Sequence, residues 1–489
     1  MADFGASMSS LPPIILWFRR DLRLADHAAL TQALNDGAPI IPLYIHDTTS
    51  EPAMGGASKW WLHQALATHA DQLAKLGAKL IIRQGKPAQV LGELIKQTRA
   101  RSVYVSRAYD SATDLLDAAL ERSLAHEGIL WRTFGGHLLW EPSQVRNKSG
   151  KPFQVFTPFW RAQSQGWLPP EPLKAPKHWP SPEAWPSSTP LEQLGLLPTI
   201  AWDAGWNHIW CPGEAGATKA IKTFASKAYE TYEVSRDLPG VEGTSRISPH
   251  LHFGEITPAQ IFHTLLDQLK KVGISPATLM GSCYMREIGW REFAHHLLHH
   301  FPATVQRPLR PEFESFPWMK DARLLRAWQK GQTGYPIVDA GMRELWATGW
   351  MHNRVRMIVG SFLVKHLLIR WQEGAEWFWD TLVDADLANN TLGWQWIAGC
   401  GADAAPYFRI FNPMTQSAKF DGRGEYIRRW VPEIKELNDQ DLHAPWEAPP
   451  MALASAGITL GKTYPQPVVN HTIARERALA AYQRIRKQA

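Results

Sequence analysis

Several short stretches of the chain bring together residue types that could do chemistry. In Gly243-Thr244-Ser245-Arg246-Ile247-Ser248-Pro249-His250, a glycine is followed by hydroxyls and a guanidinium. That donor set suits a phosphate group and equally a plain helix N-cap. Glu287, Trp290 and Arg291 stand at i, i+3 and i+4. On a helix they share one face, where a carboxylate, a flat ring and a cation could hold a planar polar ligand on a phosphate backbone. The bland alternative is a surface ion pair beside a core tryptophan. Asn353, Arg356 and Met357 repeat that spacing. If their helix is central, Arg356 is buried and demands an anion, for which Asp384 or Asp386 in Val383-Asp384-Ala385-Asp386 is the candidate. If the helix is peripheral, Arg356 faces solvent. Gly393-Trp394-Gln395-Trp396 places two indoles at period two. In extended backbone they point to opposite sides, one toward a cofactor and one toward a substrate, unless both are core. Arg236, Arg291, Arg354, Arg409, Arg428 and Arg429 lie scattered among aromatics, a mixture that suits a nucleic-acid backbone plus an unstacked base.

The elements that position these residues follow from the apolar pattern. Residues 14–18, 40–45, 79–82 and 103–105 are short, β-branched apolar runs; residues 58–76, 87–98 and 111–126 carry helical periodicity. Alternating β and α predicts an α/β domain with a doubly wound parallel sheet over residues 11–140. No GxGxxG follows the first strand, so a dinucleotide fingerprint is absent there. Residues 141–215 read as an interdomain connector, Pro- and Trp-rich from 165 onward. Residues 216–489 read as a large all-α domain without strands. Within it Val355, Ile358, Val359, Phe362, Leu363 and Leu367 form one apolar face of a long helix.

Composition narrows the classes. The chain has 489 residues, 45% hydrophobic and 20% charged, an ordinary globular balance. No run of 18 apolar residues occurs, which excludes an apolar helical membrane span, and Met1–Ser10 lacks the pattern of a secretory leader. Three cysteines without a CxxC pair exclude a disulfide scaffold and four-Cys zinc or iron–sulfur sites. The cytoplasm is the expected compartment. Net charge is 52 − 46 = +6, a mild hint of a polyanionic partner. The 24 tryptophans suggest a function that uses aromatic faces.

Taken together, these segments resemble the photolyase/cryptochrome family over nearly the whole chain. The resemblance rests on Leu16-Trp17-Phe18-Arg19-Arg20-Asp21-Leu22-Arg23-Leu24, on Glu242–Ser248, and on the stretches 333–343, 350–357 and 401–413. It implies FAD in the helical domain, contacted by Tyr232, Thr244, Ser245, Arg246, Ile247, Ser248, Tyr284, Asn353, Arg356, Asp384, Ala385, Asp386 and Asn390. Asn390 matches the position facing flavin N5, where plant cryptochromes carry Asp; an amide cannot titrate and an acid can. The implied substrate is DNA containing a cyclobutane pyrimidine dimer, flipped out of the stack. Glu287, Trp290, Asn353, Met357 and Trp396 match the lesion pocket, and Arg236, Arg291, Arg354, Arg409 and Gln416 match further DNA contacts. The (6-4) photolyases carry His at the positions of Asn353 and Met357, so that lesion is not expected. Trp394, Trp371 and Trp318 match the chain that carries electrons from the surface to oxidised flavin.

Within the family, residues 55–63, 387–394 and 461–465 resemble the bacterial class III enzymes, which implies a methenyltetrahydrofolate antenna. Its residues are not assigned: Thr304 stands where a common bacterial folate site has Cys, and the acidic position falls near Asp110. A cryptochrome-type photoreceptor is the alternative reading. Asn390, the complete lesion pocket and the lack of a long tail after the last helix favour repair. A dark redox flavoprotein is disfavoured by the missing nicotinamide fingerprint. No metal and no obligate protein partner are expected, and the chain is expected to act as a monomer.

Overall fold

The computed structural model describes residues 11–49, 52–404 and 408–487. Met1–Ser10, read above for a leader, and Ala405–Tyr407 of the 401–413 motif lie outside the described residues. So do the final two residues of the expected helical domain.

The first strand, β1 (Ile14–Phe18), is buried at every position. Its side chains alternate between two cores: Ile14, Leu16 and Phe18 face one, Ile15 and Trp17 the other. That is the signature of a strand covered on both faces. β2 (Ile40–His46), β3 (Ile81–Gln84), β4 (Ser102–Ser106) and β5 (Leu130–Phe134) join it in the order β3-β2-β1-β4-β5, all parallel. Helices α1 (Ala28–Asn35) and α2 (Gly56–Lys75) supply the core on one face, α3 (Pro87–Thr98) and α4 (Ser111–His126) on the other. The doubly wound sheet is as expected, with β5 and α1 added. The chain reverses winding direction between β1 and β4, where such sheets open a crevice at their carboxyl ends. At that end Arg20 pairs with Asp110 at 2.6 Å, and Arg19 with Asp117 at 2.8 Å.

The expected connector is of two kinds. Its first part forms α5 (Phe156–Ser164), whose Phe156, Phe159 and Trp160 are buried in the core of the helical part. Residues 165–213 are a strap pinned at both ends. Ile40 N–H donates to the Pro180 carbonyl at 2.8 Å, the Trp179 indole to the Ile40 carbonyl at 2.9 Å, and Thr189 N–H to the Ile82 carbonyl at 2.9 Å. Further on, the indoles of Trp206 and Trp210 donate to the carbonyls of Ala347 and Thr348, at 2.9 and 2.8 Å. Trp60, Trp61, Trp202, Trp206 and Trp210 interlock at this seam, with successive ring centroids 5.1–6.4 Å apart. Much of the tryptophan surplus therefore holds the fold together instead of serving a ligand.

Among the described residues no strand follows β5, and no helix is long and apolar enough to cross a membrane. The predicted apolar stripe is fully buried, but its helix is not continuous: Asn353–Ser361 is α-helical and Phe362–His366 forms a π-helical turn. The widened turn carries Lys365 into the core, 1% exposed. Its ammonium lies 3.5 Å from the centroid of the Phe408 ring and donates to the Arg409 carbonyl at 3.2 Å. Burial pulls its pKa down to about 7. The unfolded chain then binds this proton more tightly, so unfolding free energy should climb between about pH 7 and the ordinary lysine value near 10.4. Below pH 7 both states are charged and the full penalty persists. Lys365→Met should raise stability at neutral pH by a few kcal/mol, at about 1.4 kcal/mol per pKa unit, and flatten that climb. Urea titrations of parent and variant at pH 7 and 10 check this; a variant less stable at pH 7 would refute it.

Candidate active site

The site is built where the helical elements converge. Asp384 is nearly buried, its side chain 4% exposed, and accepts Arg356 Nη2 through both oxygens at 2.9 and 3.1 Å. It also accepts the Ser248 hydroxyl at 2.6 Å. Arg356 is half-buried, and of the two candidate acids its partner is Asp384. Asp386 has a different task. It caps the Leu387–Ala398 helix by accepting Asn389 N–H at 2.9 Å, and lies 3.6 Å from both His252 and His295. Burial pushes its carboxyl up, but His295, His252 and Arg291 outweigh that and hold it well below the usual carboxylate range. Burial lowers His295 to about 4. Ala385 is buried between the two acids. Asn390, half-buried on the capped helix, donates to the Ala375 carbonyl at 3.0 Å.

Thr244, Ser245, Arg246 and Ser248 are half-buried along one segment, with Ile247 turned into the core. Gly243 packs so tightly that a Cβ there would stand 2.6 Å from the Ser235 carbonyl. Arg246 adopts φ +50° and sets its guanidinium over Trp350, 4.8 Å from the centroid. The Tyr284 hydroxyl donates to Ser245 at 3.0 Å and its ring meets Tyr232 at 5.2 Å. Hydroxyls, one guanidinium and flanking aromatic rings form a donor set that fits a phosphate-bearing planar cofactor.

A second rim lies beside it. Glu287 accepts Arg236 at 2.6 Å, and both side chains remain partly exposed, 31% and 20%. Arg236 rests over the Tyr232 ring, which joins this rim to the first. Burial opposes the Arg236 charge, but Glu287 more than compensates and holds it firmly protonated. Arg354 pairs with Asp237 at 2.7 Å and reaches Met357 Sδ at 3.7 Å. Asn353 is exposed at the start of the same helix. Trp290 stacks on Phe156 with centroids 3.8 Å apart and planes 12° from parallel. The Trp396 indole donates to the Asp403 carbonyl at 3.1 Å, and Asp403 N–H to the Gln154 carbonyl at 3.2 Å, so both tryptophans are steadied by residues 154–156.

Residues 284–484 match the family described as the FAD binding domain of DNA photolyase, and residues 14–177 match the DNA photolyase family. The chain belongs to the DNA photolyase family. It is 48% identical to the deoxyribodipyrimidine photo-lyase of Agrobacterium fabrum, over 97% of this chain and 98% of that one. A crystal structure of a bacterial class III photolyase from Agrobacterium tumefaciens superimposes with a TM-score of 0.95 at 47% identity, covering 99% of this chain and 100% of the other. Cryptochrome-1 of Arabidopsis thaliana is 38% identical over 93% of this chain and 68% of the relative. As a photolyase-family protein, the chain binds FAD through its helical domain.

Two expectations change. Arg291 is not on the DNA-facing rim of this photolyase-family chain: its side chain is 9% exposed, donates to the His137 carbonyl at 2.9 Å and lies against Glu292. It ties the Cys283–His300 helix to the segment after β5 and cannot reach a phosphate. The Trp394–Trp396 segment is helical, not extended. About 200° of helical turn still sends the rings to different sides, Trp394 buried at 2% and Trp396 half-exposed. Behind Trp394, Gly374 presses so close that a Cβ would fall 2.1 Å from the ring. Trp371, one turn before Gly374, is buried, and Trp318 is half-exposed beside the Met319–Ile369 bridge. Arg409 is exposed over the Phe411 ring, and Gln416 is half-buried with its amide oxygen unpartnered. Phe156 and Asp237, which hold Trp290 and Arg354, were not singled out from sequence; each lies more than a hundred positions from its partner, and no local pattern marks such pairs.

Proposed function

We propose that this chain splits cyclobutane pyrimidine dimers in DNA in a light-dependent reaction. The observation that carries the reading is the rim formed by Glu287, clamped yet open at 31%, and Trp290, held flat on Phe156. The chemistry FAD supplies when bound is one light-driven electron to the dimer and its recovery after the ring opens. The chain's own residues do the rest. Thr244, Ser245, Arg246, Ile247 and Ser248, with Tyr232, Tyr284, Asn353, Arg356, Asp384, Ala385, Asp386 and Asn390, hold the cofactor. Asn390 presents an amide that neither gives nor takes a proton. Trp290 and Trp396 pack against the extruded dimer, with Met357 and Asn353 on the same rim. Glu287 orients the dimer carbonyls and steadies charge developing on them. Arg236, Arg354, Arg409 and Gln416 contact the surrounding DNA, and Trp394, Trp371 and Trp318 relay electrons to oxidised flavin.

We propose a folate-type antenna such as methenyltetrahydrofolate and place it at the carboxyl end of the sheet, the switch point of the doubly wound fold. Mass analysis of pigment released on denaturation tests that assignment. Asp110 there is already engaged, capping α4 and pairing with Arg20. We take residues 11–140 as the antenna-binding domain, 141–215 as the connector, whose α5 packs into the helical core, and 216–489 as the catalytic domain, in a cytoplasmic monomer.

The decisive experiment is repair of an oligonucleotide bearing one thymine cyclobutane dimer, in light and in darkness, with a (6-4) lesion alongside. Repair of the dimer alone, in light alone, is expected. Failure with fully reduced flavin would favour a photoreceptor without repair activity. Glu287→Ala should lower repair roughly two- to tenfold, the value of one net hydrogen bond, with flavin content unchanged. Unaltered repair would remove Glu287 from its role.

A further inference from the structure

The burial of Arg291 leaves the α5 side of the lesion rim without its expected cation. Two other arginines stand there. Arg161 on α5 and Arg286 on the Cys283–His300 helix line an open groove of roughly 410 Å3, with Thr157, Trp160, Ser164 and Gln165 completing it. Both arginines are exposed. Among the described residues neither takes part in an ion pair, whereas Arg236 and Arg354 are each neutralised by a carboxylate. No acid lines the groove. The neighbouring carboxylates are engaged: Glu287 by Arg236, and Asp403 by the Phe156 backbone N–H. Two unpaired cations in one groove repel each other unless a polyanion sits between them. Arg286 also lies over Phe156, 6.0 Å from the centroid, on the ring that carries Trp290. The groove is thus one aromatic ring from the lesion-facing indole.

We propose that Arg161 and Arg286 seat phosphates of the DNA backbone on the α5 side of the lesion. The inference rests on the repair reading above and extends its DNA-binding surface. Such contacts position DNA without reading sequence.

The test is binding of a dimer-bearing duplex and its undamaged twin by the full, flavin-loaded chain across a salt series. Three proteins are compared: the parent, Arg161→Gln/Arg286→Gln, and Arg161→Lys/Arg286→Lys. Loss of two phosphate contacts should make the slope of log affinity against log salt shallower by about 1.4 to 1.8 in the Gln pair. The deficit should then grow about tenfold for each fourfold drop in salt. Damaged and undamaged DNA should lose affinity equally, and the Lys pair should retain the parental slope. A Gln pair with the parental slope, while the parent binds and repairs the dimer, would overturn the groove alone. A Lys pair as impaired as the Gln pair would also overturn it, assigning the effect to packing on Phe156. A parent that neither binds nor repairs the dimer would overturn the repair reading, and the groove with it.

Discussion

Trp394→Phe is expected to abolish light-driven reduction of bound oxidised flavin while protein reduced beforehand goes on repairing dimers. Trp394 sits on the inner side of the Leu387–Ala398 helix, 2% exposed, against Gly374 and 5.0 Å from the Phe378 ring. Trp396, proposed to pack on the lesion, is half-exposed on another side of the same helix. On the proposed path an electron entering from solvent would meet half-exposed Trp318, then buried Trp371 and buried Trp394. Phenylalanine keeps the packing surface but is far harder to oxidise, so the path breaks with little damage to the fold. Transient absorption of the oxidised protein and repair by chemically reduced protein separate the two activities. Loss of both would place Trp394 in the repair step or in the fold; retention of both would remove it from the path.

The second large effect is expected at Asp384. Removing its carboxylate strips Arg356 and Ser248 of their acceptor together. Breaking a buried pair from one side typically costs 3–5 kcal/mol. Arg356 keeps 22% exposure, so roughly 3 kcal/mol, the lower end of that range, is appropriate here. Asp384→Ala should therefore lower the urea midpoint markedly and purify with little or no flavin. Full flavin content and an unchanged midpoint would show that the pair neither shapes nor supports the cofactor site.

The sheet was legible because β1, β2 and the centre of β4 are apolar runs, buried at nearly every position as strands covered on both faces must be. β5 has no such signal, for the opposite reason. It is an edge strand in which only Trp131 is buried and Leu130 is 51% exposed. The helical state of the Trp394–Trp396 segment is written in its ends, with Asp386 as N-cap and Gly399 at φ +88° as the stop; the WxW spacing by itself does not distinguish helix from strand. Sequence narrowed the partner of Arg356 to Asp384 or Asp386 but could not choose between them, because both acids sit in one short turn and only the fold shows which of them meets the guanidinium. Arg291 could not be placed that way. The Cys283–His300 helix is buried on most of its circumference, so sharing a face with Glu287 says nothing about reaching solvent. The π-helical turn that draws Lys365 inward has no sequence pattern comparable to a cap or a glycine stop.

The strap between residues 165 and 213 has a consequence for light collection. Transfer of excitation between two pigments depends on their separation and on the angle between their transition dipoles. A linker that merely joined the sheet to the helices would let both vary. Here the backbone of Pro180 and Thr189 and the indole of Trp179 grip the sheet, while those of Trp206 and Trp210 grip the turn that ends the Pro336–Thr348 helix. Any pigment seated at the carboxyl end of the sheet is thereby mounted on the same rigid frame as the flavin pocket, and the optical geometry between them is set by the fold and not by chance encounter.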